Sequence, residues 1–159
     1  MIHKIRFIYL QTNKEPWFNE AIQLYQKKIN HFKPIEIQSL KSDSSSRKDW
    51  KSKILNEEKL ILKYLGEDQL IITFDEKGKA FKDSIDFSSW LMDIIQFKSG
   101  NLNFIIGGAY GVSNNIKKKS HQLIQMSHLT MNHQVASVVA LEQIYRGFTI
   151  HNKIPYHNI

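Results

Sequence analysis

Apolar and polar positions alternate along this chain in two periods, and the switches between them mark out its elements. Ile2 to Leu10 is apolar with Lys4 and Arg6 interleaved, which reads as a strand. Pro16 suits the first turn of a helix. Trp17, Ala21, Leu24, Tyr25 and Ile29 then follow at helical spacing, and Pro34 stops that run. Ile35, Ile37 and Leu40 predict a second short strand, followed by a Ser- and Lys-rich loop over Lys41 to Lys48. Trp50, Ile54, Ile61 and Leu65 mark a second helix ending at Gly66. Leu70 to Phe74 reads as a third strand. Phe87, Trp90, Leu91, Ile94 and Ile95 mark a third helix ending near Gly100.

The last third carries the densest signals. Leu102 to Ile106 is a strand that runs into Gly107, Gly108 and Gly111. A short helix through Ile116 to Lys119 follows, then Leu123 to Met131 as a last strand. Val135 to Ile150 predicts a long helix, and His151 to Ile159 a tail containing Pro155. Strands alternating with helices predict an α/β fold, a mostly parallel sheet flanked by helices. No composition shift or repeat divides the chain, so residues 1–159 read as a single domain.

Composition narrows the class. The chain has 159 residues and no cysteine, which removes disulfides, thiolate zinc sites and a cysteine nucleophile. No apolar run approaches the roughly 20 residues of a membrane helix. Met1 to Leu10 lacks the pattern of a signal peptide. The expected location is the cytoplasm, with no membrane partner. Net charge is +7, and residues 1–60 hold most of it, with 12 Lys and Arg against 7 Asp and Glu. Such a surface favours a polyanion, most often nucleic acid.

Ligands of open α/β sheets bind beyond the carboxyl ends of the strands. Three such ends carry chemistry here. Asp75 and Glu76 form either an acid/base pair or a solvated turn. Gly107, Gly108 and Gly111 either admit a ligand to the backbone or only close a tight turn; the spacing is neither a dinucleotide fingerprint nor a P-loop. His133, entering the last helix, is a ligand contact or a cap. Lys117 to Lys119 contact phosphates or form a wet helix face. Tyr156 and His157 lie in a tail where a stacking or docking role competes with simple folding back. No histidine pair has metal-site spacing, so no metal is expected.

Taken together and in order, these segments resemble a known family. They are Thr73-x-Asp75-x-x-Gly78-Lys79, Phe104-Ile105-Ile106-Gly107-Gly108-x-x-Gly111, Leu129-Thr130-x-x-His133-Gln134, Leu141-Glu142-Gln143-Ile144-Tyr145-Arg146-Gly147-Phe148 and Pro155-Tyr156-His157. The chain is similar over essentially its whole length to the SPOUT-class ribosomal RNA large subunit methyltransferase H family, which modifies N3 of a pseudouridine in 23S rRNA.

The resemblance implies a C-terminal deep trefoil knot, one of the few exceptions to the no-knots rule. It implies S-adenosyl-L-methionine as cofactor, leaving as S-adenosyl-L-homocysteine. The partners implied are a second copy of the chain in a homodimer and the ribosome, with the target in 23S rRNA helix 69, on assembled 70S ribosomes or 50S subunits. Carried over residue by residue, the cofactor pocket falls on Phe74, Gly107, Gly108, Met126, Ser127, His128, Leu129, Thr130 and Met131. Substrate placement and catalysis fall on His133, Arg146, Tyr156 and His157, with Asp75 a further candidate base.

Two positions depart from the family pattern. Asn132 stands where proline is usual, and can cap the following helix. Ser137 stands where an arginine is usual. Alternatives are a catalytically weakened RNA-binding relative of the same class, a methyltransferase of that class for another RNA position, and an unrelated nucleotide-binding α/β domain.

Overall fold

A computed structural model describes the chain except for residues 12, 14, 43–46, 68 and 159. Part of the Lys41–Lys48 loop therefore lies outside the described residues. The strands are β1 (Ile2–Gln11), β2 (Ile35–Lys41), β3 (Gln69–Lys79), β4 (Gly100–Ile106) and β5 (Gln122–Ile124). The α-helices are α1 (Pro16–Asn30), α2 (Trp50–Tyr64), α3 (Ser84–Phe97), α4 (Asn114–Lys119) and α5 (His133–His151). One 3-10 turn, Arg47–Asp49, leads into α2.

The five strands form one sheet in the order β2-β1-β4-β3-β5, and each neighbouring pair is parallel. Both faces are covered, because the strands alternate at period two between two apolar clusters. Ile5, Phe7 and Tyr9 of β1 and Leu102, Phe104 and Ile106 of β4 face one layer. There they meet Phe18, Ile22 and Ile29 of α1, Leu91 of α3, and Leu141, Ile144 and Phe148 of α5. Ile8, Leu10 and Ile105 face the other layer, against Ile61 of α2 and Ile116 of α4. Phe32 stacks on Phe148 with ring centroids 5.3 Å apart. On the same side Ser88 Oγ of α3 donates to the Gly147 carbonyl of α5 at 2.7 Å.

Two expectations at the sheet edge need correction. The expected strand Leu123 to Met131 is only three residues long, and the chain beyond Ile124 is irregular. Conversely, β3 runs five residues past Phe74. The two differences have one cause. Ile124 is paired with both Phe74 and Lys79, and Gln125 N donates to the Lys79 carbonyl at 2.8 Å. The end of β3 bows out between those contacts and grips the end of β5, leaving the next residues no free strand edge. Gly78 permits the grip: a Cβ there would stand 2.5 Å from the Ile124 nitrogen.

Candidate functional site

The bowed end of β3, the glycine turn after β4 and the segment leading into α5 enclose a cleft of about 600 Å³. That size suits a small organic ligand. Phe74 to Lys77, Ile106 to Gly111, Met126, Ser127 and Leu129 to His133 line it. The sheet places it beyond the carboxyl ends of β3 and β4, at the kind of crevice that binds ligands in open α/β sheets. Of the nine expected cofactor residues, every one except His128 lines the cleft. His128 turns aside and meets Gln125 Nε2 through its Nδ1 at 3.3 Å.

The glycine turn is first a matter of its own closure. A Cβ on Gly107 would lie 2.5 Å from the Gly111 carbonyl carbon, and the Gly111 amide donates to the Gly108 carbonyl at 3.0 Å. Gly111 holds φ of +76°, which favours glycine. Beneath the turn lies a carboxylate that sequence reasoning missed. Glu57 of α2 is buried and accepts from Ser42 Oγ. A Cβ on Gly108 would approach its Oε1 to 3.0 Å. Burial pushes the Glu57 pKa up, against the opposing pull of Ser42 and Lys53. Ser42 and Glu57 lie in a loop and a helix that share no periodicity, so no sequence signal joined them.

Asp75 lines the cleft but is already engaged. Lys117 Nζ lies 2.6 Å from its Oδ2, and the Lys77 amide donates to Oδ1 at 2.8 Å. Burial raises its pKa, but these partners outweigh that and hold it below the ordinary carboxylate value. An ionised, paired carboxylate is a poor proton acceptor. Lys117 is correspondingly an ion-pair partner in this state, while Lys118 and Lys119 lie on the outer part of α4.

His133 begins α5, just after Asn132, whose side chain accepts from the Gln134 amide at 2.8 Å and caps the helix. Burial, then the charge of Lys53, lowers the His133 pKa below its ordinary value. The ring is therefore neutral near pH 7 and able to accept a proton. Ser137 is buried, and its hydroxyl donates to the His133 carbonyl one turn back at 2.8 Å. In this chain that position is turned inward, its hydroxyl spent on the helix's own backbone.

Arg146, Tyr156 and His157 form a second group, and Glu142 is its hub. Arg146 Nη2 lies 2.5 Å from Glu142 Oε1, the Tyr156 hydroxyl donates to the same oxygen at 3.0 Å, and Arg146 Nη1 donates to His157 Nδ1 at 3.1 Å. The guanidinium also lies 4.7 Å from the Tyr156 ring centroid. Lys28 of α1 adds a second cation, 5.1 Å from the Tyr145 ring and 5.7 Å from that of Tyr156. Burial, then Glu142, pushes the Tyr156 phenol up to about 12, so it remains a neutral donor. A guanidinium can only donate. His157 Nδ1 must therefore accept, which leaves its Nε2 to carry the proton. Glu142 was visible in the sequence only as part of a motif.

The two groups are apart. None of Arg146, Tyr156 and His157 lines the cleft. His133 and Arg146 stand thirteen positions apart on one continuous helix, about 20 Å along the axis. Among the described residues no cluster of His, Asp and Glu is arranged to hold a metal, and no helix is long and apolar enough to cross a membrane.

The family profile described as "Predicted SPOUT methyltransferase" matches residues 3–157. The chain is 46% identical over 150 residues to a ribosomal RNA large subunit methyltransferase H from Bdellovibrio bacteriovorus, covering 94% of this chain and 96% of the relative. It is 36% identical over 154 residues to the protein of the same name from Caldicellulosiruptor saccharolyticus, covering 96% and 99%. Among solved structures, a probable methyltransferase from Bordetella pertussis superposes with a TM-score of 0.55 at 11% identity, covering 90% of this chain and 95% of that one. A probable methylase family protein from Haemophilus influenzae gives 0.54 at 11% identity, covering 98% and 70%. At that identity the structural likeness speaks to the fold alone.

Proposed function

Because the chain belongs to the ribosomal RNA large subunit methyltransferase H family of SPOUT methyltransferases, we propose that it methylates N3 of a pseudouridine in 23S rRNA helix 69. The substrate is the assembled 70S ribosome or 50S subunit, met in the cytoplasm. What carries this reading is one observation: three of the five segments that bear the family resemblance, those around Asp75, Gly107 and His133, converge on a single cleft at the carboxyl ends of β3 and β4.

The cleft suits S-adenosylmethionine. Phe74 and Met131 offer apolar walls and Thr130 a hydroxyl, with Met126, Ser127 and Leu129 lining the same side. The sulfonium cofactor brings an already activated methyl group, so the protein need only bind, orient and deprotonate. The target nitrogen belongs to an imide and must lose its proton before it attacks. His133, held neutral beside the cleft, accepts that proton and passes it to solvent. Held in the cleft, the cofactor would supply the methyl group for the new N–C bond as its S–C bond is given up, with S-adenosylhomocysteine as the by-product. Arg146 and the Nε2–H of His157 steady the carbonyl oxygens of the base as negative charge develops.

In this reading the working unit is a homodimer, which the separation of His133 from Arg146 within one helix supports. The tail group of one protomer serves the cleft of its partner. Exposed Trp17 and Leu24 on α1 and Val135 on α5 are apolar surface suited to that contact. The C-terminal deep trefoil knot belongs to the same reading, and the grip of β3 on Ile124 supports it.

The test is methyl transfer from labelled S-adenosylmethionine to ribosomes lacking the modification, with the product nucleoside identified by mass spectrometry. N3-methylpseudouridine is the expected product. A different methylated nucleoside would move the target, and transfer to no ribosomal RNA would overturn the reading.

A further inference from the structure

Trp50 and Tyr110 are two large aromatic side chains that the fold leaves in water, 44% and 40% exposed. They come from elements far apart in sequence. Trp50 opens α2. Tyr110 sits in the tip of the glycine turn, where closure of Gly111 on Gly108 leaves the residues between them outside the core. The two rings nonetheless meet, with centroids 6.5 Å apart and planes tilted by 38°. Each carries a lysine. Lys51 Nζ lies 5.5 Å from the Trp50 ring and Lys53 Nζ 5.9 Å from the Tyr110 ring. Lys53 is buried beneath, next to Glu57, whereas Lys48 and Lys51 are exposed. Tyr110 lines the cleft, and Trp50 stands outside it.

An exposed aromatic ledge edged by lysines, at the mouth of a ligand cleft, has the chemistry that recognises unpaired nucleotides. Rings stack on bases regardless of sequence, and ammonium groups meet the phosphates. We propose that Trp50 and Tyr110 form a stacking ledge for an unpaired base of the RNA substrate next to the one being methylated, with Lys51 on its phosphate. This rests on the rRNA methyltransferase reading above. The ledge selects and holds RNA and takes no part in methyl transfer itself. Its effect therefore falls on substrate affinity rather than turnover.

The experiment compares wild type with Trp50→Ala, Tyr110→Ala, the double variant and Trp50→Phe. Methyl transfer is measured against 50S subunits lacking the modification, alongside direct co-sedimentation with the same subunits, calorimetric affinity for S-adenosylmethionine and the oligomeric state. Losing one stacked base raises KM and weakens co-sedimentation about tenfold in the double variant. In Trp50→Ala, whose side chain stands outside the cleft, the turnover number and cofactor affinity stay within about twofold, and Trp50→Phe keeps most of the wild-type KM. Unchanged KM and unchanged co-sedimentation in the double variant overturn the ledge. So does a loss confined to cofactor affinity, which would make Tyr110 part of the cofactor wall, or a loss of dimer, which would make the pair a protomer contact. If wild type transfers no methyl group, the methyltransferase reading fails by itself. Co-sedimentation then still decides whether the ledge holds RNA.

Discussion

The Tyr156 hydroxyl donates to Glu142 Oε1 at 3.0 Å, tying the last residues of the chain to the middle of its last helix. The same carboxylate holds Arg146, and Arg146 holds His157. One side chain thus decides where three candidate substrate-placing groups stand.

Glu142→Ala should therefore release the tail as a unit. Hydrogen bonds to charged groups are worth about 1.5–3 kcal/mol each when well enclosed, and this cluster is part-buried. Methyl transfer is expected to fall at least tenfold, with affinity for S-adenosylmethionine unchanged. Amide hydrogen exchange across residues 152–158 should speed up in parallel. Full activity with a fast-exchanging tail would show that tail order is irrelevant to catalysis.

The glycine turn separates two kinds of glycine requirement. Gly107→Ala places a Cβ 2.5 Å from the Gly111 carbonyl carbon, so backbone must move. Gly111→Ala meets nothing within 4 Å but must hold φ of +76°. The first should cost about 2–3 kcal/mol and the second about 1–2 kcal/mol. At roughly 2–4 °C per kcal/mol for a chain of this size, thermal unfolding should rank Gly107→Ala well below Gly111→Ala. The reverse order would mean that the turn opens easily and that conformational strain dominates.

The fold was largely legible because period and punctuation agree. Pro16 starts α1, Asn132 caps α5, and the apolar residues of β1 and β4 alternate faces. Legibility fails where partners decide. Leu123 to Met131 alternates like a strand, but Lys79 blocks its edge after Ile124. The polar Asp75 to Lys79 stretch has no strand signal, yet it is held extended around β5. At the site, the cleft-lining glycines and the 126–131 segment could be named from motifs. Glu57 could not, because its meaning lies in burial under Gly108. The separation of Arg146 from the cleft was also hidden, since a motif gives identity without distance.

His133 sets a pH signature. Its pKa is lowered in the folded chain, first by burial and then by Lys53. A base whose folded pKa is depressed contributes stability that is complete above its unfolded value, near 6.5, and is lost as pH falls below it. Urea unfolding should therefore show wild type losing stability relative to His133→Gln between pH 7.5 and 5.5. Parallel profiles for the two proteins would mean that His133 titrates normally. If His133 is also the proton acceptor, His133→Gln should lose most of its rate at neutral pH and recover part of it at high pH, where hydroxide removes the N3 proton.

A mixed dimer tests whether a cleft and its tail group belong to different chains. Met131→Arg puts a charged, bulky side chain into the cleft and should abolish cofactor binding. Arg146→Ala should leave cofactor binding intact and disable the tail group. Each homodimer is expected to be inactive. Dimers carrying one chain of each kind, isolated with two affinity tags, have one cleft that is wild type and faces a wild-type tail from its partner. The other cleft is damaged twice. Activity should return to about half the wild-type value per dimer, because one of two sites is whole. If cleft and tail instead acted within the same chain, every site in the mixed dimer would carry one lesion and no activity would return. Helix α5 is continuous from His133 to His151, so a single chain would have to break it to bring Arg146 to its own cleft. Recovery in the mixed dimer is thus the outcome expected of the homodimer proposed above, given the continuous helix.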